Sequence, residues 1–166
     1  VDADFAGLYK VEKGESVDSA KSRSGYIIKL GGCTLLGKSQ LIPTICLSTA
    51  ESEYYSLSQS MRALLPIQSL MTEFMNEVDV PENLQSIDRV VHATAHEDNT
   101  SALSLAVDQR LTNRTRHYHC RWHFFWQAVQ ENKVEVIYCA TTEQDADYLT
   151  KPLVYELFLA NRMRVQ

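Results

Sequence analysis

Four acidic residues in this 166-residue sequence could together form a metal site: Asp2, Glu53, Asp98 and Asp147. Each lies near the end of a predicted strand or within a predicted helix, where α/β folds gather their functional groups. Carboxylates held about 4 Å apart repel by roughly 4 kcal/mol at an effective dielectric constant of 20. Such a cluster is tolerable only if divalent cations neutralise it, and hard oxygen ligands favour Mg²⁺ or Mn²⁺.

Helical geometry selects among neighbouring acidic residues. Ser48 and Glu51 have the spacing of a capping box, with Ser48 as the N-cap and Glu51 reaching back to the start of the helix. Glu51 and Glu53 differ by about 200° around the helix axis, so they cannot face one site together. The capping role of Glu51 leaves Glu53 for the site. Asp145 and Asp147 differ by the same rotation, so at most one of them points inward.

The first strand leaves the choice between Asp2 and Asp4 open, because residues two apart on a strand share a face. Each acidic residue also has an ordinary structural explanation when it is taken alone. Asp98 could be a helix N-cap, Glu53 a solvated helix residue and Asp147 a favourable charge in a first helical turn. Their joint placement within specific local strings favours a shared site.

Hydrophobic periodicity predicts the elements that would position these residues. Two β-leaning runs, 25–30 and 33–39, are joined by two glycines and predict a hairpin with a type I′ or II′ turn. Residues 1–5 predict an earlier strand of the same sheet, followed by a long loop over 10–24. A long helix is predicted from residue 48 onward, with a kink or break where Pro66 interrupts its apolar spacing.

The second half of the sequence predicts alternating strands and helices. We expect a strand over 89–94 that leads to the acidic residues of 96–98, and then helices over 99–107 and 119–131. A strand over 133–140 and a helix from 143, broken at Pro152, complete the chain. The order is therefore β-β-β-α-β-α-α-β-α. A strand meander followed by α/β alternation predicts a mixed sheet with helices on its faces.

Composition and charge limit the possible functions. The 45% hydrophobic and 22% charged content fits one globular domain and excludes a disordered tail. With 16 Lys and Arg against 21 Asp and Glu, the net charge of −5 has the wrong sign for gripping nucleic acid through bulk charge. The four cysteines form no C-x-x-C pair. No apolar run is long enough to span a bilayer and no signal peptide is recognisable, so we expect an intracellular protein.

Six ordered strings make the sequence resemble the ribonuclease H domain at the C-terminus of copia-type retrotransposon polyproteins. They cover essentially the whole chain, and STAESEY and ADYLTKPL are the most specific parts of them. The strings are DADFAG (2–7), KSRSGYIIKLGG (21–32), GKSQLIPTICLSTAESEYYSLSQ (37–59), EDNTSAL (97–103), NRTRHYHCRWHFFWQ (113–127) and EQDADYLTKPL (143–153).

The resemblance implies a ribonuclease H-like α/β fold, in which a five-stranded mixed sheet of three antiparallel strands followed by parallel ones is flanked by helices. It also implies an Asp-Glu-Asp-Asp metal site that maps onto Asp2, Glu53, Asp98 and Asp147. For Glu53 this agrees with the capping argument. For the first strand it selects Asp2, with Asp4 as the substitute.

The reaction that the resemblance implies is hydrolysis of the RNA strand of an RNA–DNA hybrid during reverse transcription, leaving 5′-phosphate and 3′-hydroxyl ends. Two Mg²⁺ ions, or Mn²⁺ as substitute, would activate a water and stabilise the departing oxygen. The implied partners are the hybrid and the reverse transcriptase domain of the same polyprotein, without a membrane or a small-molecule cofactor. The expected location is the cytoplasm, within virus-like particles, or the nucleus.

Hybrid binding requires phosphate contacts and groups that recognise the 2′-hydroxyl. Residues 110–121 carry four arginines and no acid, so the charge is locally positive there. The candidate substrate-binding residues combine basic and small polar side chains: Lys21, Arg23, Ser24, Lys38, Ser39, Asn99, Thr100, Arg114, Arg116, His117 and Arg121.

A zinc site is the less favoured interpretation of His117, His119, Cys120 and His123, of which two histidines are four apart on a predicted helix. In the resembling family, similar histidines are structural or face the substrate. Bacterial and retroviral relatives carry a histidine before the last helix that aids product release, whereas residues 140–144 have none. We therefore expect slower or differently handled turnover.

The first strand begins directly before Asp2, so we expect a piece of a longer polyprotein whose shortened central strand makes it only marginally stable alone. The main alternative function is a catalytically silent module that binds hybrid or reverse transcriptase without cutting. An integrase-like core is a weaker alternative, because the strand and helix order, with a Glu in the first long helix, argues against it.

Overall fold

The computed structural model describes residues 1–12, 16–78, 90–109, 118 and 120–165, and it leaves out the side chains of 10–12, 120 and 121. Within these residues the chain is a mixed α/β structure. Its elements are β1 (Asp2–Asp4), α1 (Gly7–Glu12), β2 (Arg23–Leu30), β3 (Cys33–Leu41), α2 (Thr49–Glu77), β4 (Ala93–Glu97), α3 (Thr100–Asp108), α4 (Trp126–Gln130), β5 (Val134–Tyr138) and α5 (Tyr155–Val165).

The predicted hairpin is confirmed. Strands β2 and β3 pair antiparallel, and Gly31 and Gly32 form the turn with φ angles of 57° and 84°. Positive φ at both central positions is what a tight two-residue hairpin turn requires, and glycine adopts it without strain. On the other side of β2, β1 pairs antiparallel with Asp2 opposite Gly25. The long loop predicted over 10–24 is wrong in part, because α1 and a 3₁₀ turn over Val17–Ala20 lie in this region.

The strands of the described residues form two sheets. One has three antiparallel strands in the order β1-β2-β3, and the other has β4 parallel to β5. The continuous five-stranded sheet is therefore not found. Strand β1 has only three residues, and it reaches β4 through the amino group of Val1, which donates to the carbonyl of His96 at 3.0 Å.

Helix α2 starts where the capping box predicted. The hydroxyl of Ser48 accepts the N–H of Glu51 at 3.1 Å, and the carboxylate of Glu51 accepts the N–H of Leu47 at 2.6 Å. A kink or break was expected at Pro66; the break is wrong, because one helix runs from Thr49 to Glu77, and the kink stays a prediction. Proline removes the hydrogen bond to the carbonyl four residues earlier. Both Pro66 and Arg62 are exposed, so water can satisfy that carbonyl.

The predicted order of strands and α-helices is reproduced except for α1, which lies between β1 and β2, and several boundaries differ. Strand β4 lies at 93–97, whereas 89–94 was predicted; residue 89 lies outside the described residues. The helix expected over 119–131 is a 3₁₀ turn, Cys120–His123, followed by α4. Two further 3₁₀ turns, Thr141–Glu143 and Asp147–Leu149, precede α5 where one helix was expected. Turns of three or four residues with i→i+3 hydrogen bonds are common as connectors between longer elements.

The main hydrophobic core is formed by α2, α3, α4, the β4–β5 sheet and the segment around Trp122. The first half of α2 is buried almost continuously, and its aromatic residues pack against Trp122 and Phe125. Tyr55 meets Trp122 edge-on at a centroid distance of 5.2 Å. The core thus fixes the N-terminal half of α2, which carries Glu53.

None of the helices in the described residues has both the length and the apolar composition of a membrane-spanning segment.

Candidate metal site

Three carboxylates converge at one point of the fold. Asp2 comes from β1, Glu53 from the second turn of α2, and Asp98 from the residue after β4. One oxygen of each lies within 4.8 Å of the others, and this is the only such group that the described residues contain. Three elements from distant parts of the sequence therefore bring hard oxygen ligands to one position, the donor set that Mg²⁺ and Mn²⁺ prefer.

Asp98 is available for this site because its neighbour caps the helix. The side-chain oxygen of Asn99 accepts the N–H groups of Ser101 and Ala102 at 3.0 and 3.1 Å, which makes Asn99 the N-cap of α3. Asp98 instead accepts a hydrogen bond from the hydroxyl of Thr141 at 2.7 Å. The ordinary interpretation of Asp98 as a helix cap is therefore wrong.

Glu53 is held in the site by burial. Its side chain is 7% exposed, and its Oε2 atom has no hydrogen-bond partner among the described residues. Burial raises the pKa of Glu53, and the nearby carboxylates of Glu97, Asp2 and Asp98 raise it further. A buried carboxyl oxygen without a partner is costly, and a bound cation would remove that cost.

Asp2 is the most buried of the three, at 1% exposure. The hydroxyl of Thr150 donates to its Oδ2 atom. Burial raises the pKa of Asp2, and the hydrogen bond from Thr150 and the charge of Lys151 lower it in part. Asp4 is half-buried and, with Gly7, lines a cavity beside the site, but its oxygens are not part of the convergent group; the geometry therefore places Asp2 rather than Asp4 beside Glu53 and Asp98.

Asp147 is not part of this group of three; it lies near Asp2 and has a different partner. Its carboxylate forms an ion pair with Lys151, and the same ammonium group lies 3.6 Å from the Oδ1 atom of Asp2. The carbonyl of Asp147 accepts the N–H groups of Thr150 and Lys151, both at 3.2 Å, and the hydroxyl of Thr150 at 3.0 Å. This turn therefore fixes Thr150 and Lys151 relative to Asp2.

A fifth carboxylate, Glu97, was not identified from the sequence. It is fully buried at the end of β4; its Oε1 atom accepts the N–H of Asn99 at 3.1 Å, and its Oε2 atom has no partner among the described residues. Burial raises the pKa of Glu97. Its position directly before Asp98 was the available signal, but a buried glutamate at a strand end cannot be distinguished by spacing from a solvated one.

Several predicted substrate-binding residues line a cavity of about 340 Å³ beside the carboxylates. Lys21, Arg23 and Ser39 line it together with Thr150 and Lys151. The guanidinium of Arg23 donates to the hydroxyl of Ser39 at 3.3 Å, and that hydroxyl donates to the carbonyl of Leu149 at 2.6 Å. This arrangement places positive charge next to the candidate metal site, although Lys21 also pairs with Asp18 at 2.7 Å.

The other predicted binding residues lie elsewhere. Ser24 is buried, and its hydroxyl has no partner among the described residues. Lys38 is exposed on β3, and Thr100 is exposed at the start of α3. Residues Arg114, Arg116 and His117 lie outside the described residues, as does the side chain of Arg121, so their assignment stays a prediction.

The zinc interpretation finds no support in the part of the chain that is described. His117 and His119 lie outside it, and the side chain of Cys120 does as well. The Nδ1 atom of His123 lies 2.7 Å from the hydroxyl of Tyr54, and its ring packs on Trp126 at a centroid distance of 4.2 Å. Burial lowers the pKa of His123. This histidine is part of the aromatic core.

Comparison with known proteins finds retrotransposon polyproteins. The chain is 27% identical over 150 residues to the Retrovirus-related Pol polyprotein from transposon TNT 1-94 of Nicotiana tabacum, and 30% identical over 152 residues to that from transposon RE2 of Arabidopsis thaliana. It is 27% identical over 139 residues to the Transposon Ty1-DR5 Gag-Pol polyprotein of Saccharomyces cerevisiae.

These matches cover 90%, 92% and 83% of the chain, but only 10%, 9% and 7% of the respective relatives. No family model and no solved structure matches the chain. The chain is therefore similar, over most of its length, to a small segment of retrotransposon Pol polyproteins.

Proposed function

We propose that this chain is the ribonuclease H domain of a retrotransposon Pol polyprotein and that it hydrolyses the RNA strand of RNA–DNA hybrids. The observation that carries the proposal is the convergence of Asp2, Glu53 and Asp98 within 4.8 Å. The similarity to Pol polyproteins supports a role in retrotransposon replication. Within that role, the resemblance of the six sequence strings to ribonuclease H domains indicates which reaction the chain catalyses.

The residues present fit a divalent cation. The donor set is three carboxylates, and the Oε2 atom of buried Glu53 has no partner among the described residues. A cation held by Asp2, Glu53 and Asp98 would supply an activated water for attack on the scissile phosphate, and a second ion would stabilise the departing 3′ oxygen. Asp147 is the proposed fourth ligand, which would complete a site for a second ion.

The chain's own groups would position the substrate. Arg23 and Lys21 would contact phosphates of the strand that lies along the cavity, and Ser39 would offer a hydroxyl to the sugar. Thr150 orients Asp2 through its hydrogen bond, and Thr141 orients Asp98. These hydrogen bonds hold the carboxylates in position before an ion or the hybrid binds. Such positioning lowers the activation barrier of the reaction.

The direct test is cleavage of a hybrid in which each strand carries its own label. We expect Mg²⁺ to support cuts in the RNA strand only, leaving 5′-phosphate and 3′-hydroxyl ends, and we expect Mn²⁺ to substitute. A chelator should stop the reaction. Cuts in the DNA strand, or cuts that persist in chelator, would contradict the proposal.

Arg23 gives a prediction for hybrid binding. We expect Arg23→Ala to raise the hybrid dissociation constant and to lower the slope of log K against log salt by about one, because one phosphate contact is lost. Titrations with labelled hybrid at several salt concentrations, in chelator, measure both quantities. Arg62→Ala is the matched control, because Arg62 is exposed on α2, away from the cavity, and lies over the ring of Phe124. An unchanged slope for Arg23→Ala would remove Arg23 from the phosphate contacts.

The second candidate function is a module that binds hybrid or a neighbouring reverse transcriptase domain without cutting. The ion pair between Asp147 and Lys151 favours it, because that lysine occupies a carboxylate that the reaction would need. Hybrid binding without RNA cleavage, under conditions in which the carboxylates bind Mg²⁺, would establish it. In either case we propose the reverse transcriptase domain as the partner and virus-like particles in the cytoplasm, or the nucleus, as the location.

A further inference from the structure

One ammonium group is inserted between the carboxylates of the candidate site. The Nζ atom of Lys151 pairs with Asp147 and lies 3.6 Å from Asp2, whose side chain is 1% exposed. Lys151 itself is 35% exposed, so most of its side chain lies against the protein. The ammonium therefore bridges the two carboxylates of the Asp2–Asp147 half of the site.

The local backbone keeps Lys151 in this place. Asp147 and Lys151 are four residues apart on one turn, and the carbonyl of Asp147 accepts the N–H of Lys151 at 3.2 Å. Thr150, between them, is fixed by its hydrogen bonds to Asp2 and to the carbonyl of Asp147. The turn and its bond to β1 aim the lysine at the acidic cluster.

Among the described residues, no basic side chain forms an ion pair with Glu53 or Asp98. Asp2, Glu53 and Asp98 offer oxygens within 4.8 Å of one another, and the Oε2 atom of Glu53 has no partner among the described residues. The ammonium of Lys151 directly contacts the carboxylates of Asp2 and Asp147, whereas no basic side chain of the described residues pairs with Glu53 or Asp98. The two halves therefore differ in what they offer to a divalent cation.

We propose that Lys151 is a built-in cation that occupies the second ion position, so that the substrate-free protein binds one divalent ion and a second binds only when Lys151 is displaced. The inference rests on the proposed metal site, but it concerns ion binding and not the reaction. Two positive groups cannot share the Asp2 and Asp147 oxygens without repulsion. Lys151 is thus a positioning residue that sets the number of bound ions.

Ion binding to the full chain tests the inference without any substrate. Titration of the wild-type protein with Mn²⁺, followed by calorimetry and by the spin-resonance signal of free Mn²⁺, should give one ion per chain. In Lys151→Met the length of the side chain is kept and its charge is lost. We expect this variant to bind two ions, the second at least tenfold more tightly than any second ion in the wild type.

Two further variants complete the design. The double variant Lys151→Met, Asp147→Asn should again bind one ion, because a neutral amide then replaces one carboxylate ligand of the second ion position. Lys133→Met is the matched control, since Lys133 is an exposed lysine that pairs with Glu131 at 2.7 Å, and it should bind as the wild type does. Two ions in the wild type, or one ion in Lys151→Met, would overturn the inference.

A folding defect does not leave the question open. If Lys151→Met fails to fold, Asp147→Asn alone decides, because the inference predicts one ion with an affinity within about twofold of the wild type. A loss of that ion would show that Asp147 binds it directly and would refute the role of Lys151. Because these readouts use no hybrid, a protein that binds ions as expected but does not cut RNA would contradict the proposed function alone.

Discussion

Asp98→Asn is expected to lower Mg²⁺-dependent cleavage of the RNA strand by roughly a thousandfold, which corresponds to about 4 kcal/mol of lost transition-state stabilisation. The substitution removes one of three carboxylates that lie within 4.8 Å of one another. It keeps the acceptor for the hydroxyl of Thr141, because an amide oxygen can replace the carboxylate oxygen. Single-turnover cleavage of a labelled hybrid measures the effect.

The same substitution should have the opposite effect on stability in chelator. Without an ion, Asp98 adds negative charge next to the buried carboxylates of Asp2, Glu53 and Glu97. Asp98→Asn removes that repulsion, so we expect its melting temperature to equal or exceed that of the wild type. Added Mg²⁺ should stabilise the wild type only, because ligand that binds the native state alone raises its stability.

Asp108→Asn is the matched control for both measurements. Asp108 is the last residue of α3 and is exposed, so the same change of atoms occurs outside the site. We expect its cleavage rate and its response to Mg²⁺ to match those of the wild type. Cleavage by Asp98→Asn at the wild-type rate would refute the assignment of this carboxylate.

Gly25→Ala is expected to lower cleavage by about a hundredfold and stability by about 1–3 kcal/mol, because overpacking shifts neighbouring groups by a fraction of an ångström to an ångström. A Cβ atom at Gly25 would lie 2.6 Å from the Cγ2 atom of Thr150 and 3.0 Å from the Cβ atom of Leu149. Gly25 also stands opposite Asp2 in the sheet. The added methyl group therefore pushes the turn that orients Asp2 away from it.

Gly37→Ala is the control that the chain provides. A Cβ atom at Gly37 would meet no atom within 4 Å, and Gly37 lies in β3 of the same sheet. We expect stability and cleavage to stay at or slightly above the wild-type level, since alanine loses less backbone entropy than glycine on folding. Urea unfolding and the hybrid assay, applied to both variants, separate the two positions. Equal behaviour of the two variants would mean that the contact at Gly25 does not position the site.

Local signals in the sequence predicted the parts of the fold that local chemistry determines. The two glycines of the β2–β3 turn and the capping box at Ser48 each specify a backbone conformation within a few residues. The choice of Glu53 over Glu51 as the candidate ligand was equally local, because it used the capping role of Glu51 and the rotation of about 200° between the two residues. These assignments needed no knowledge of distant parts of the chain.

The remaining features depend on contacts that a linear pattern does not contain. The continuation of α2 through Pro66 depends on exposure, which leaves the unpaired carbonyl in water. Whether Asp98 or Asn99 caps α3 depends on Thr141, 43 residues away from Asp98. The sequence also placed Asp147 in a helix, whereas its short 3₁₀ turn lets Lys151 reach both Asp147 and Asp2.

The bond between Thr150 and Asp2 joins residues that are 148 positions apart. Closing a loop of this length costs conformational entropy before the contact is gained, so we expect the bond to form late on the folding pathway. An ion that needs Asp2, Glu53 and Asp98 together would therefore gain its affinity only after the folding barrier is crossed. Mg²⁺ should then slow the unfolding rate and leave the refolding rate nearly unchanged, so the ion would protect the finished domain without helping to build it.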